Sequence, residues 1–182
     1  GLATIVANKG AAHATLGQFA DALACFTQGE EHSGELGSRS GVATNIANRG
    51  AVLAQTGDHP AALECFARAA SIYRDLGRRS QLATLQMHQA AAHTALGEPD
   101  LAVRELTEAE SCLRALDDRV NLAFAIEARA AAHDGRGAAP DALRDAADAE
   151  EIFRTLSDRF GEARLRGFRG RILLRLGRKP GA

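Results

Sequence analysis

The chain nearly repeats itself every 40 residues. LGQFADALACF at 16–26 returns as TGDHPAALECF at 56–66 and as LGEPDLAVREL at 96–106. A fixed period of this size constrains the fold more than any motif does, because short identical units bury their apolar surface only by stacking on one another. Cut at that period, the 182 residues give units 1–40, 41–80, 81–120 and 121–160 and a partial unit 161–182, with no gap. Leu2, Val42, Leu82 and Leu122 share one column, Gly10, Gly50, Ala90, Ala130 and Gly170 another, and Gly17, Gly57, Gly97, Gly137 and Gly177 a third. Ala22, Ala62, Ala102, Ala142 and Ala182 follow, and each full unit closes on Leu36, Leu76, Leu116 or Leu156 with an arginine three residues behind.

Within one unit the apolar spacing is helical twice over. In 42–56, Val42, Ile46, Ala47, Gly50 and Leu53 fall at steps of three and four, which is one stripe of an α-helix. Gly57 is placed to end it, since a glycine enters the left-handed conformation of a helix C-terminus without a Cβ clash. In 60–76, Ala62, Leu63, Phe66, Ala69, Ala70 and Tyr73 form a second stripe. Asp58 is placed to cap that helix and Pro60 suits its first turn; Ser40 and Ser80 are expected to cap the first helices. Each unit is thus predicted to be a helical hairpin. Small residues set how the helices meet: Gly50 and Ala62 belong at the crossing within a hairpin, Ala69 where the second helix meets the next unit, and Phe66 in the space beside them. A hairpin cannot bury both stripes alone, so the prediction is an all-α, right-handed solenoid of four hairpins plus a fifth first helix.

These columns resemble the tetratricopeptide repeat. Gly50, Leu53, Gly57, Ala62, Phe66 and Ala69 match its small, large, turn-glycine, alanine, aromatic, alanine sequence, as do Gly10, Gly17, Ala22, Phe26 and Gly29 in the first unit and Ala90, Gly97, Ala102, Leu106 and Ala109 in the third. The unit of 40 residues exceeds the commonest 34, so the second helix is expected to be the longer one. It is similar in this to repeats of Pins-type polarity adaptors and large bacterial signalling proteins. Three other departures stand out. The early large aromatic is only Val6, Ile46, Gln86 or Ile126; the interior leucine three residues on is Lys9, Arg49, Gln89, Arg129 or Arg169; and the fourth unit carries Arg136 and Ala146 where large apolar residues belong.

Composition bounds the function. With 46% hydrophobic and 25% charged residues the chain can build a core and cover it. It has no apolar run of membrane-spanning length, and its start, GLATIVANKG, reads as an excerpt of a longer protein and not as a signal peptide. Cys25, Cys65 and Cys112 lack CxxC spacing and read as reduced thiols of a cytoplasmic protein. An excess of Arg over Lys, with much Ala and Gly, points to a GC-rich bacterial genome. The net charge of −1 is uneven: residues 1–160 hold 15 basic and 22 acidic side chains, residues 161–182 seven basic and one acidic. One basic amphipathic helix on an acidic remainder is a poor footprint for a polyanion, so nucleic acid is not expected as a partner.

No catalytic constellation appears. There is no phosphate loop and no GxGxxG, and GSRSG at 37–41 has Arg39 where a nucleophile elbow needs serine. Glu30–Glu31 and Glu150–Glu151 are adjacent on helices and diverge, as solvated residues do. His13, His93 and His133 share a column with Leu53 and Leu173, which makes each a packed histidine bonded to a nearby carbonyl; helix spacing keeps them too far apart for a metal ladder. No enzyme activity, cofactor or metal is expected.

Function is then expected in the concave surface. The resemblance implies that first helices line it, with Thr4, Thr44 and Thr84, then Asn8, Asn48 and His88, then Ala11, Ala51, Ala91 and Ala131. The amides of Asn8 and Asn48 offer donors and an acceptor, and the family uses asparagine at this column to hold the backbone of an extended peptide. On the last helix Arg164, Arg171 and Arg175 share the inner face, a pattern suited to carboxylates of an acidic peptide or neighbouring domain. The family's lysine clamp for chaperone tails is unmatched, with Ala7, Ala47, Thr84 and His88 at its columns. Two readings follow: a non-enzymatic scaffold for a peptide or partner domain, bound through Asn8, Asn48, His88, Thr44, Thr84, Arg164, Arg171 and Arg175, or a ligand- or peptide-sensing arm of a multidomain bacterial signalling protein, as in transcriptional activators and caspase-like proteases.

Overall fold

Nine helices and no strand occur among the described residues, 1–177, of the computed structural model. They are α1 (Leu2–Thr15), α2 (Phe19–Glu35), α3 (Arg39–Gln55), α4 (His59–Asp75), α5 (Arg79–Ala95), α6 (Pro99–Ala115), α7 (Arg119–Gly135), α8 (Ala139–Thr155) and α9 (Arg159–Gly177). Each helix packs on the next, so α1–α2, α3–α4, α5–α6 and α7–α8 are hairpins and α9 is a fifth first helix, the solenoid expected from the period. Ala182, at the end of the alanine column, lies outside the described residues.

Two local expectations need correction. Both helices of the second hairpin span 17 residues, as do both of the third and fourth, so the long period lengthens the two helices alike instead of the second alone. Ser40 and Ser80 lie inside α3 and α5 and cap nothing. The chain leaves each inter-hairpin turn earlier, through a left-handed residue at Gly37 or Gly77 (φ 64° in both). The cap therefore falls one residue later, on Ser38, whose hydroxyl accepts from Gly41 N at 3.2 Å. Asp118 does the same for α7, accepting from Asn121 N at 3.1 Å, and Asp58 caps α4 as its position predicts, accepting from Ala61 N at 3.2 Å. In the later turns the left-handed position is held by Asp117 (φ 53°) and Ser157 (φ 61°), at a cost that glycine avoids.

The small columns are where helices touch. A Cβ on Gly50 would stand 2.8 Å from the Phe66 ring and 2.9 Å from Cys65 Cβ, and Gly10 meets Phe26 and Cys25 the same way. Where the column is Ala90 or Ala130, the facing residue is Leu106 or Ala146, so each added methyl is matched by a smaller partner. A Cβ on Gly29 would collide with Asn45 Oδ1 on α3, which puts this column at the junction with the next hairpin. Phe66, Ala69, Ile46 and Ala62 are buried in one core segment, and Leu106, Leu113, Ile126 and Phe153 in the next.

The basic column that departs from the family pattern is an inter-hairpin bracing. Arg49 Nη1 lies 2.8 Å from Glu30 Oε2 and Arg169 Nη1 2.7 Å from Glu150 Oε2, and Arg129 pairs with Glu110 and, through two nitrogens at 2.7 and 3.1 Å, with buried Asp145. In each case an arginine of a first helix reaches a carboxylate on the preceding second helix. At the middle junction the corresponding residues are Ala70 and Gln89, and a polar cleft of about 650 Å³ opens there between α4, α5 and α6. It lies on the side of α5 away from Thr84 and His88.

Curvature follows from which helices meet. Among the first helices α1 touches α3, α3 touches α5 and α5 touches α7, while no pair of second helices makes contact of comparable extent. The stack is tighter on the side of the first helices, so those helices line the inner face.

Candidate functional site

Thr4, Asn8 and Ala11 of α1, Thr44, Asn48 and Ala51 of α3 and Thr84, His88 and Ala91 of α5 recur at steps of four and three, and so stay on the inner stripe of each helix. Two cavities lie along this stripe. One of about 480 Å³, between α1, α2 and α3, is lined by Thr4, Asn8, Thr44 and Asn48; the other, of about 200 Å³ between α3, α4 and α5, by Thr44, Asn48, Thr84 and His88. Thr44 and Asn48 belong to both, so the two form one continuous groove.

The groove's polar groups are not equally available. The side-chain amides of Asn8 and Asn48 make no hydrogen bond to the protein among the described residues, so each presents two donors and an acceptor. Thr44 Oγ1 donates to Ser40 O at 2.9 Å and accepts from the Tyr73 hydroxyl at 2.9 Å; Thr84 Oγ1 donates to Ser80 O at 3.2 Å. The hydroxyl hydrogens of these threonines are committed to their own helices, and they face a ligand chiefly as acceptors. His88 stacks on the ring of buried Phe66, with centroids 5.5 Å apart and planes 17° from parallel. Burial lowers its pKa below the ordinary 6.5, so at neutral pH it is an uncharged donor and acceptor.

The three arginines of α9 differ from one another. Arg164 donates to both oxygens of Glu127, at 2.5 and 2.6 Å, and its guanidinium lies 5.5–5.8 Å from the rings of Phe124, Phe153 and Phe160. Arg175 pairs with Asp134. Arg171 lies over the Phe168 ring at 5.8 Å and has no ion-pair partner among the described residues. Arg166 and Arg169 bind Glu150, and Arg166 also Glu162, so most of the basic surplus at this end is matched by carboxylates of α7, α8 and α9. Phe124 and Phe160 remain exposed, giving this end of the inner face an aromatic character.

The histidine column differs from its expected bonding. His13 Nδ1 lies 2.6 Å from Gln18 Oε1 and His93 Nδ1 2.8 Å from Glu98 Oε2, both at the start of the next helix; His133 is buried, accepts from Arg136 Nε at 3.1 Å and lies 3.6 Å from Asp145. Helix carbonyls already hold backbone N–H donors, so His13 and His93 turn to the side chain across the turn, and His133 to Arg136 at the end of its own helix. Among the described residues no three His, Cys, Asp or Glu side chains converge on a metal position. None of their helices is long and apolar enough to cross a membrane.

Sequence reasoning missed Tyr73, Ser33 and Asn45, all part of the groove walls. The signal was present: the column Ser33, Tyr73, Leu113, Phe153 changes from hydroxyl to phenol to hydrocarbon, too wide a variation for packing alone.

Comparison with known proteins bears on the fold. The family model for the tetratricopeptide repeat matches residues 1–75 and 41–115. A signal transduction ATPase with numerous domains from Pyrococcus horikoshii, described as carrying a tetratricopeptide repeat sensor, superposes with a TM-score of 0.81 at 12% identity over 90% of this chain. The apo form of RapI gives 0.82 at 14% over 93%, and a putative kinesin light chain from Podosopora anserina with nearly identical repeats gives 0.74 at 14% over 96%. The chain spans 25% of the first, 47% of the second and 91% of the third. No curated protein sequence matches.

Proposed function

The chain belongs to the tetratricopeptide repeat family, and on that premise we propose that residues 1–182 form one repeat domain, a non-enzymatic module that holds an extended peptide or partner segment in its inner groove. The observation that carries this reading is the pair of unengaged amides, Asn8 and Asn48, set one repeat apart along a continuous groove. An amide that donates and accepts at once grips the main chain of a ligand whatever its side chains. His88 continues the row, and the acceptor oxygens of Thr44 and Thr84 flank it. A partner carboxylate meets Arg171 first, since Arg164 and Arg175 are held by Glu127 and Asp134. With the basic helix matched internally, nucleic acid is not part of this reading, and we place the protein in a bacterial cytoplasm. The test is a peptide selected by display against the chain. Asn8→Ala with Asn48→Ala weakens its binding about thirtyfold in a calorimeter, at about 1 kcal/mol per lost bond pair, with an unchanged melting curve. Unchanged affinity removes the amides from the site.

A second reading, a sensing arm of a larger signalling protein, is favoured by the 480 Å³ cavity, which is of small-molecule size, and by the likeness in fold to a protein described as carrying a repeat sensor. A thermal-shift screen separates the two readings, because a sensor is stabilised by a metabolite in proportion to its concentration over Kd.

A further inference from the structure

The two groove cavities are one cavity repeated. Every residue lining the smaller, between α3, α4 and α5, has its counterpart 40 positions earlier in the lining of the larger, between α1, α2 and α3. The larger holds about 480 Å³ and the smaller about 200 Å³, and the cause lies in four exchanges: Tyr73 corresponds to Ser33, Gln81 to Gly41, Leu85 to Asn45 and His88 to Asn48. Tyr73 is 4% exposed and fills its cavity with a ring whose hydroxyl donates to Thr44 at 2.9 Å. The same column carries Leu113 and Phe153 in the next two hairpins, both buried. Only the first hairpin has a small residue there, and Thr4, the counterpart of Thr44, lines the space left over.

The walls of that space suit a phenol. No charged side chain lines it, and Ala3, Ala7 and Ala11 give an apolar flank. Asn45 is 3% exposed, in a column that is Leu85, Ala125 and Leu165 elsewhere. Its amide donates to Gly41 O at 2.9 Å and to Ser33 Oγ at 3.4 Å, while its Oδ1, beside Gly29, has no hydrogen-bond partner. A buried amide costs stability where leucine would pack, and packing alone does not account for it.

We propose that the cavity between α1, α2 and α3 is a specificity pocket for a 4-hydroxyphenyl group, the tyrosine side chain of a bound peptide, seated where Tyr73 sits one repeat later and with its hydroxyl on Thr4. The assignment rests on the groove being a peptide site, and adds which side chain it selects. The probes are N-acetyl-tyrosinamide and N-acetyl-phenylalaninamide, titrated into the full ¹⁵N-labelled chain. The tyrosine probe shifts the backbone amides of Ser33, Gly41 and Asn45 with a Kd on the order of 1 mM, and the phenylalanine probe binds about fivefold more weakly for want of one hydrogen bond. Ser33→Tyr, which supplies the ring from within, blocks both probes. Thr4→Val, at an exposed position where folding is not at stake, brings the two affinities together. Absence of shifts at those three residues, binding that survives Ser33→Tyr, or a tyrosine preference untouched by Thr4→Val overturns the proposal. If a display-selected peptide loses affinity on Asn8→Ala/Asn48→Ala while the tyrosine probe shifts nothing, the groove stands and the phenol pocket falls; the converse pattern removes the amides and keeps the pocket.

Discussion

Gly50→Ala tests the packing rule on which the solenoid depends. In an exposed helix this change gains about 1 kcal/mol. Here the new methyl would stand 2.8 Å from the Phe66 ring and 2.9 Å from Cys65 Cβ. The ring is fully buried and the Cβ is fixed by α4, so neither yields easily, and overpacking costs about 3 kcal/mol, the upper part of its usual range. The net expectation is a loss of about 2 kcal/mol, a fall of about 1 M in the urea midpoint at a typical slope. Phe66→Leu alone loses about 1.5 kcal/mol through the vacated volume. The double variant reproduces the Ala90–Leu106 pairing of the third hairpin and is expected to lose only about 1 kcal/mol, a coupling of about 2.5 kcal/mol where independent sites would add to about 3.5. Urea unfolding of the four proteins, followed by circular dichroism, measures the cycle. Additivity within about 0.5 kcal/mol, or a Gly50→Ala protein as stable as its parent, would refute the claim that the glycine column and the aromatic column share one space.

Other outcomes follow from the same geometry. Asp117→Gly relieves a left-handed aspartate (φ 53°) and is expected to add about 1 kcal/mol, read as a higher Tm. Arg129→Met leaves buried Asp145 without its arginine, while Glu110 keeps Arg114, and costs about 3 kcal/mol, whereas Arg39→Met, which breaks an exposed pair with Asp75, costs less than about 0.5 kcal/mol; chemical denaturation distinguishes them. Burial raises the pKa of Glu110, but hydrogen bonds from Arg114 and Arg129 and their charges outweigh it and leave the carboxyl below 4.5. Its contribution is therefore complete above the unfolded value and lost as pH falls through the folded one, so acid unfolding of the Arg129 variant begins at higher pH. His88, held below 6.5 by burial, favours folding fully above that value and progressively less beneath it; a proton titration by NMR that places it at or above 6.5 contradicts the stacked, desolvated geometry.

What the sequence revealed depended on the range of the interaction. The hairpins, their turns at Gly17 and Gly57 and the Gly50–Phe66 crossing were legible, because apolar period, left-handed glycine and small-residue columns are local or repeat in register. The cap at Ser38 was misplaced onto Ser40, since two serines flank one turn and only backbone geometry decides between them. The basic column of Arg49, Arg129 and Arg169 read as a departure from the family pattern; its carboxylates lie 19 residues earlier, across a hairpin junction, and no local pattern announces them. Arg164 and Arg175 likewise looked like a free face, although Glu127 and Asp134, 37 and 41 residues earlier, claim them.

Internal repetition supplies the control that a single sequence otherwise lacks. Columns that stay small or apolar in every unit, such as Ala22, Ala62, Ala102 and Ala142, are all fully buried, and packing explains them. Columns that change character along the groove cannot be set by packing, because the same helix spacing accepts every version. The inner column runs Asn8, Asn48, His88, Ala128, Phe168, and the one beside it Thr4, Thr44, Thr84, Phe124, Arg164. Polarity therefore falls from α1 to α9, and the charge of Arg164 does not reverse the trend because Glu127 neutralises it against three aromatic rings. A ligand bound along such a gradient has one orientation. A peptide held as proposed is expected to lay its main-chain amides over α1 and α3, where Asn8 and Asn48 are free, and its apolar side chains over Phe124 and Phe168. In the reversed pose, hydrocarbon would cover unpaired amides and desolvate them without replacement. A spin label at either end of the selected peptide decides the direction: broadening from the end nearer its main apolar residues is expected at α7 and α9, and broadening at α1 from that end would show that the gradient does not direct binding.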